Sequence, residues 1–313
     1  MTELPVIDVA PLVDGAPGGL EAVAAAIGRA SRERGFFYIA GHGVPDTLRA
    51  ALFAQAATFF DQPAAAKDAV SYFRSPHNRG FIPVGGETLD PSLRPDMKEA
   101  FNIGRELAPD DPDLRAGRPF HGLNQWPDLP GFRETALAYF AAMSRLGEAL
   151  HRAVAVDLGL APDYFAALID RPMSTLRLLH YPPHPGRFDG GQYGASPHTD
   201  YGNLTFLAQD EVGGLEVQAR DGGWIAAPPI AGALVCNIGD CLMRWSNDVY
   251  VSTPHRVVNR GGRERFSVAF FLDPNWDAEV ACLPTCASPA KPPRYAPIKG
   301  ADYLRSRLER TYA

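Results

Sequence analysis

Three side chains in the second half of the chain have the types and spacing of a metal site. His198 and Asp200 form His-Thr-Asp at the edge of a strand-like run, and His255 lies in Ser-Thr-Pro-His-Arg-Val on a later strand of the same β region. Positions i and i+2 of a strand point to one face, so an imidazole and a carboxylate from one short stretch can reach one point. Two neutral imidazoles and one carboxylate on one side of a metal make a facial triad. Such a triad leaves about three coordination positions open and suits non-haem Fe(II) oxygen chemistry. A lone His-x-Asp also fits a surface turn with no role, so the residues that follow His255 matter. Arg265 comes ten positions later, with Ser267 on the same strand face. A guanidinium fork beside a hydroxyl is a clamp for a carboxylate. Tyr181, in His180-Tyr181-Pro182-Pro183, lies in the first strand of the same block and could add a third hydrogen bond.

These groups need a frame that brings separate stretches together. From about Met173 to Pro274 the chain is a series of short β runs, at 175–181, 204–209, 215–218, 224–226, 233–238, 242–245, 256–258 and 266–272. Turn signals such as Gly213-Gly214 and Asp221-Gly222-Gly223 separate them. Short strands at this spacing imply an all-β barrel or a double-sheet jelly roll. Leu204, Phe206 and Phe270 alternate on the strands and are expected to line the barrel, as packing or against a bound substrate.

Upstream, residues 1–172 read as mixed helix and strand. There are β runs at 5–9 and 35–39, an Ala-rich helix at 20–34, and a helix from an Asp46 cap to about 60. Short strands follow near 79–83 and 100–103. A long helix at 131–159 carries Leu137, Phe140, Met143, Leu146, Leu150 and Val154 on one stripe. After a Pro-rich connector comes a last helix at about 300–309. The organisation expected is a single domain over 1–313. It has a mixed part at about 1–172, a β core at about 173–275, and a tail with a helix at about 276–313.

Composition narrows the partners. The 313 residues are 46% apolar and 21% charged, as in a globular enzyme, and 30 basic against 36 acidic groups give a net charge of −6. A protein that binds nucleic acid by neutralising phosphates would be basic, so nucleic acid is not expected as a partner. No apolar run approaches the roughly 18 residues of a membrane span. The start, Met-Thr-Glu-Leu-Pro, lacks the regions of a signal peptide, so a cytoplasmic protein without a membrane partner is expected. Cys236 and Cys241, then Cys282 and Cys286, have no C-x-x-C spacing and read as reduced thiols.

The run from Leu176 to Pro274 resembles the isopenicillin-N-synthase-like branch of the 2-oxoglutarate/Fe(II)-dependent oxygenases. The matching stretches are RLLHYPP, SPHTDYGNLTFLAQDEVGGLEVQ, a Trp separated by three residues from Pro-Pro, NIGD, WSND-x-Y-x-STPHRVVN and RFSVAFFLDP. Upstream, LPVIDVAPL, the GFFYIAGHGVP turn and DMKEAFNIG match as well, so the resemblance covers about residues 4–275. It implies a mainly β fold with surrounding helices and a double-stranded β-helix, or jelly-roll, core. It implies that His198, Asp200 and His255 bind Fe(II), and that Arg265 and Ser267 hold the distal carboxylate of 2-oxoglutarate with Tyr181 assisting. The Asn usual in the family two positions before the Tyr is here Leu179, so one auxiliary polar contact is expected to be missing. The implied reaction uses O2 and couples decarboxylation of 2-oxoglutarate to succinate and CO2 with hydroxylation, or a related oxidation, of a small organic substrate. No side-chain nucleophile is needed, in line with the lack of a Ser-His-Asp or Cys-His arrangement.

On the substrate side, Arg177 stands four residues before Tyr181. If Tyr181 points at the cosubstrate, a period of two points Arg177 inward as well, nearer the mouth. An unpaired charge there is costly, so Arg177 must find an anion. That anion is either an internal carboxylate such as Glu87, in Gly85-Gly86-Glu87, or an acidic group of a carboxylate-bearing substrate. Glu87 belongs to a loop region that faces the substrate in the family, and reads as either solvent-exposed or in contact with substrate. Three other functions stay open at this point. Two are an oxidase that binds its own substrate's carboxylate and takes no 2-oxoglutarate, and an ethylene-forming type. The third is a non-catalytic jelly-roll sensor of a metal or ligand, against which the intact residue set weighs.

Overall fold

The structure, a computed structural model, describes residues 3–183, 192–259 and 262–311. In chain order its main strands are β1 (Val6–Asp8), β2 (Phe36–Ala40), β3 (Gly80–Ile82), β4 (Glu99–Gly104), β5 (Thr175–Tyr181) and β6 (Ala195–His198). They continue as β7 (Leu204–Gln209), β8 (Leu215–Gln218), β9 (Trp224–Ala226), β10 (Leu234–Ile238), β11 (His255–Val257) and β12 (Arg265–Leu272). Eight of them form a major sheet in the order β1-β2-β10-β7-β12-β5-β4-β3, and four a minor sheet in the order β6-β11-β8-β9. Only the β1–β2 pairing among these is parallel. The core is a jelly roll with helices around it.

Alternation along β12 explains how the layers separate. Arg265, Ser267, Ala269 and Phe271 turn to the cavity between the sheets, whereas Phe266, Val268, Phe270 and Leu272 turn to the helix-covered core. The inner face is closed by apolar residues from both sheets, among them Leu179, Tyr181, Ala195, Leu215, Val217 and Val257. On the outer face the helices Gly19–Glu33, Asp46–Phe60 and Phe132–Asp157 pack against the major sheet, and Phe140 meets Phe270 edge-on at 5.0 Å. Phe206 stacks at 6.5 Å from Phe270 in the same core. Both phenylalanines therefore lie outside the cavity, which corrects the expectation that they contact substrate. The physical reason is parity, since each stands an odd number of residues from its inward neighbours, Phe206 from Thr205 and Phe270 from Ser267.

Residues 242–245 are not a strand but part of a helix, Asp240–Trp245, which buries Cys241, Leu242 and Trp245. A four-residue apolar run fits either period, and here the buried i and i+4 positions belong to one helical face. The strand overlooked is β6, whose sequence, Ala-Ser-Pro-His, has no β-branched residue to announce it. Asp46 does not cap its helix. Pro45 holds the extended cap position, and Asp46 in the first turn pairs with Arg49 at 2.9 Å. β1 to β4, from the first half of the chain, are part of the major sheet itself, with β2 beside β10 and β4 beside β5. Among the described residues no helix is long and apolar enough to cross a membrane.

Candidate active site

His198 ends β6 and His255 begins β11, and the two are cross-strand partners in the minor sheet. Their rings lie 4.3 Å apart between centroids. Asp200 comes two residues past the end of β6, in a turn held where the Asp240 N–H donates to the Asp200 carbonyl at 2.8 Å. Convergence thus comes from a turn as well as from the strand pleat. His255 Nε2 is 3.6 Å and His198 Nε2 3.9 Å from Asp200 Oδ1, and the ligand atoms of all three lie within 4.8 Å of one another.

The surroundings fix the protonation states a metal needs. His198 Nδ1 donates to the Ser196 carbonyl at 2.7 Å and His255 Nδ1 to that of Thr253 at 3.3 Å. Each bond commits the proton to Nδ1 and leaves the Nε2 lone pair facing the shared point. Burial, then the neighbouring His255, holds the His198 imidazole down to about 4, so it is neutral near pH 7. Burial works against ionisation of Asp200. The two histidines and hydrogen bonds from Thr205 and Asn237 outweigh it and hold the carboxyl below its usual range. Asn237 Nδ2 donates to Asp200 Oδ2 at 2.7 Å, leaving Oδ1 for the centre. Phe36, edge-on at 5.1 Å, packs against the His255 ring. Two Nε2 lone pairs and one carboxylate oxygen fit a divalent iron by donor type.

Across the cavity, Arg265 opens β12 opposite Tyr181, the last residue of β5. The guanidinium is fully buried. Its Nε donates to the Gly213 carbonyl, Nη1 to Ser267 Oγ at 3.2 Å and Nη2 to Gln209 Oε1 at 3.1 Å, and it sits 4.5 Å over the Tyr181 ring. Among the described residues no carboxylate pairs with it. A buried cation with only neutral partners is expensive unless an anion completes the site. Tyr181 supports the guanidinium through its ring face, and Leu179 lines the cavity without offering a polar group. Sequence reasoning missed Gln209, although it stands directly opposite Ser267 in the β7–β12 register. It also missed Asn237, which was read only as part of the β run at 233–238.

Arg177 and Glu87 meet each other. The guanidinium makes two bonds to the carboxylate, at 3.1 and 2.8 Å, and Lys98 adds a third at 2.9 Å. Lys98 also reaches Asp96 at 2.5 Å, and Asp96 accepts from the Ser196 N–H and hydroxyl. Glu87 is buried rather than solvent-exposed. Burial opposes its charge, but Arg177 and Lys98 hold it far below the ordinary carboxylate range. The internal pair is therefore the arrangement seen for Arg177. The cavity, about 130 Å³, continues past the triad between a wall with Asn102, Thr175, Thr205 and Asp273 and the helix Gly300–Thr311, which contributes Leu304 and Leu308. That helix was read in the sequence at about 300–309 but was not placed on the cavity; its i, i+4 leucine pair was the available signal.

Comparison with known proteins gives a consistent result. Residues 4–129 match the family described as non-haem dioxygenase in morphine synthesis, N-terminal, and residues 172–274 match the 2OG-Fe(II) oxygenase superfamily. The chain is 37% identical over 318 residues to the 2-oxoglutarate-Fe(II) type oxidoreductase hxnY of Emericella nidulans, covering 99% of this chain and 91% of that one. Among solved structures it is similar to a full-length Neurospora crassa protein in complex with alpha-KG and thymine. The identity is 34%, the TM-score 0.85, and the coverage 98% of this chain and 96% of that one. JOX2 in complex with 2OG, Fe and JA is similar at 30% identity and TM-score 0.79, covering 98% and 84%.

Proposed function

Because the chain belongs to the 2OG-Fe(II) oxygenase superfamily, we propose that His198, Asp200 and His255 hold its iron and that Arg265 and Ser267 hold the distal carboxylate of 2-oxoglutarate. The protein is an Fe(II)- and 2-oxoglutarate-dependent oxygenase, an oxidoreductase that oxidises a small organic substrate. The observation that carries the residue assignment is Arg265. It is a fully buried cation on three neutral acceptors, on the same cavity as the triad.

When bound, the iron supplies the activation of O2 that couples decarboxylation of 2-oxoglutarate to oxidation of the substrate. The chain's own residues bind, orient and exclude water. Three protein donors grouped on one side leave room for exogenous ligands on the other. Asn237 and Thr205 orient Asp200, and the Ser196 and Thr253 carbonyls keep each imidazole in the ligating tautomer. The Arg265 fork and the Ser267 hydroxyl place the cosubstrate by its far carboxylate, and Tyr181 and Leu179 keep that end dry. The reading of a carboxylate-bearing substrate held by Arg177 loses its support, because Glu87 takes that guanidinium on two bonds.

The test is anaerobic addition of Fe(II) and 2-oxoglutarate. The expected result is a weak visible charge-transfer band, followed in air by stoichiometric succinate. His198→Ala, Asp200→Ala and His255→Ala should each lose most iron while keeping the fold. A His255→Ala protein that retained stoichiometric iron and full turnover would overturn the triad assignment.

A further inference from the structure

Asp273 follows β12 directly and continues its inward-facing series at the end of the strand opposite Arg265. The residue is 5% exposed and lines the cavity. Only its backbone is engaged, through an N–H donated to Ser174 Oγ at 3.3 Å. Among the described residues nothing donates a hydrogen bond to its carboxyl group and no cation lies within ion-pair distance. One oxygen, Oδ1, lies against the backbone of Gly202, where a Cβ would fall 2.4 Å from it, so a side chain at 202 would displace the carboxyl group. Arg79 is the cation that influences it; the two Nη atoms of Arg79 donate to the carbonyls of His77, Asn78 and Phe120, whereas its Nε has no hydrogen-bond partner among the described residues.

Every other charged group on the cavity wall has an answer. Glu87 is met by Arg177 and Lys98, and Lys98 also by Asp96. Asp200 faces the two histidines, and Arg265 awaits the cosubstrate. Among the described residues of that wall, Asp273 is the one carboxylate without a donor or an ion-pair partner, at the end of the cavity away from Arg265, and Asn102 Oδ1 on the same wall also lacks a hydrogen-bond partner. Buried acceptors of this kind are matched in native proteins, by protein, water or ligand. Burial and then the Asp200 charge push the Asp273 carboxyl up to about 8 against the pull of Arg79, so near pH 7 it rests largely as the neutral acid until a cationic donor draws it to the ionised form.

We propose that Asp273 anchors the substrate by accepting a hydrogen bond from an N–H group, which makes the substrate a nitrogen-bearing molecule: an amine, a guanidine or an N–H heterocycle. This rests on the oxygenase reading of the same cavity. A carboxylate substrate would face the Asp200 charge, and among the described lining residues Lys98 and Arg177 are already held by Glu87, so it is disfavoured. A charged N–H donor gives the strongest match to a carboxylate.

Four ring probes of similar size test this on the anaerobic Fe(II)–2-oxoglutarate holoenzyme by calorimetry: cyclohexylammonium, 2-piperidone, cyclohexanol and cyclohexanecarboxylate. The expected result is that one of the two N–H probes binds at least tenfold more tightly than the alcohol and the acid. Which of the two it is tells whether the recognised N–H is charged or neutral. Asp273→Leu should abolish the preference, and Asp273→Asn should weaken cyclohexylammonium at least tenfold if the charged probe is the tighter one. Both variants should bind 2-oxoglutarate within twofold of the parent, which shows that the cavity is intact. Equal affinities in the parent protein, or a preference that survives Asp273→Leu, would overturn the proposal. Absence of the 2-oxoglutarate band in the parent protein would instead remove the oxygenase reading, independently of Asp273.

Discussion

Arg265 keeps a full positive charge inside the protein on neutral oxygens and an aromatic face. Arg265→Ala removes two charge-assisted hydrogen bonds to the cosubstrate, each worth roughly 1.5–3 kcal/mol. Anaerobic titration should show 2-oxoglutarate binding weakened on the order of a hundredfold or more, with iron affinity nearly unchanged. Arg265→Lys should recover only part, since an ammonium cannot reproduce the planar fork. Arg177 behaves differently, because its anion is internal. Arg177→Met takes from buried Glu87 its two guanidinium bonds and should cost about 3 kcal/mol. Adding Glu87→Gln should return part of that loss, and a urea-unfolding double-mutant cycle that came out additive would contradict the pairing. At this scale the sequence was most readable where chemistry restricts residue type, as in His-x-Asp, His and Arg-x-Ser. It was misread at Phe206 and Phe270, where hydrophobicity was weighed without counting odd and even positions from Thr205 and Ser267. Asp273 was passed over because a carboxylate after a strand reads as a solvated turn until its burial is known.

Elements were legible in proportion to their length. The 26-residue helix Phe132–Asp157 declares its period many times over, whereas 242–245 gives too few residues to tell a strand from a turn of helix. That long helix holds His151, whose Nδ1 donates to the Gly147 carbonyl at 2.8 Å and whose Nε2 faces Asn203 Nδ2 at 3.2 Å. Asn203 follows Gly202, so the helix is tied to the turn beside the triad. Burial holds the His151 imidazole down to about 4, below the ordinary 6.5. As pH falls below 6.5 the unfolded chain takes up this proton and the native protein does not until about pH 4. The stabilising contribution is thus present above pH 6.5 and is lost on acidification, by about 3 kcal/mol at most. Metal-free parent protein should lose more thermal stability between pH 6.5 and 4.5 than His151→Leu does. His198, also lowered by burial, is common to both and cancels in the comparison. Equal slopes would mean that His151 titrates normally.

At the scale of the molecule, the metal donors and the anion clamp belong to different sheets. His198 and His255 are on the minor sheet, and Arg265 and Ser267 on the major one. A cosubstrate held at both ends therefore joins the sheets. Each ligand present at a hundred times its Kd stabilises the native state by about 2.7 kcal/mol. Fe(II) with 2-oxoglutarate should raise the anaerobic melting temperature by more than the two added separately, and a purely additive rise would argue against the bridge. The jelly roll was legible because its strands follow one another within about a hundred residues. The place of β2 was not, because its neighbour in the sheet is encoded far away: Leu234 pairs with Ile39, 195 positions later in the chain. That distance also sets a schedule for synthesis. At roughly 5–20 residues per second, on the order of 10–40 s pass on the ribosome before the partner of Phe36–Ala40 has been made. Through that interval a segment buried in the finished protein has β1 as its nearest sheet partner, and its other edge stands open. The nascent chain thus spends most of its birth with an adhesive edge showing, and the major sheet closes only after β10, β7 and β12 have all emerged.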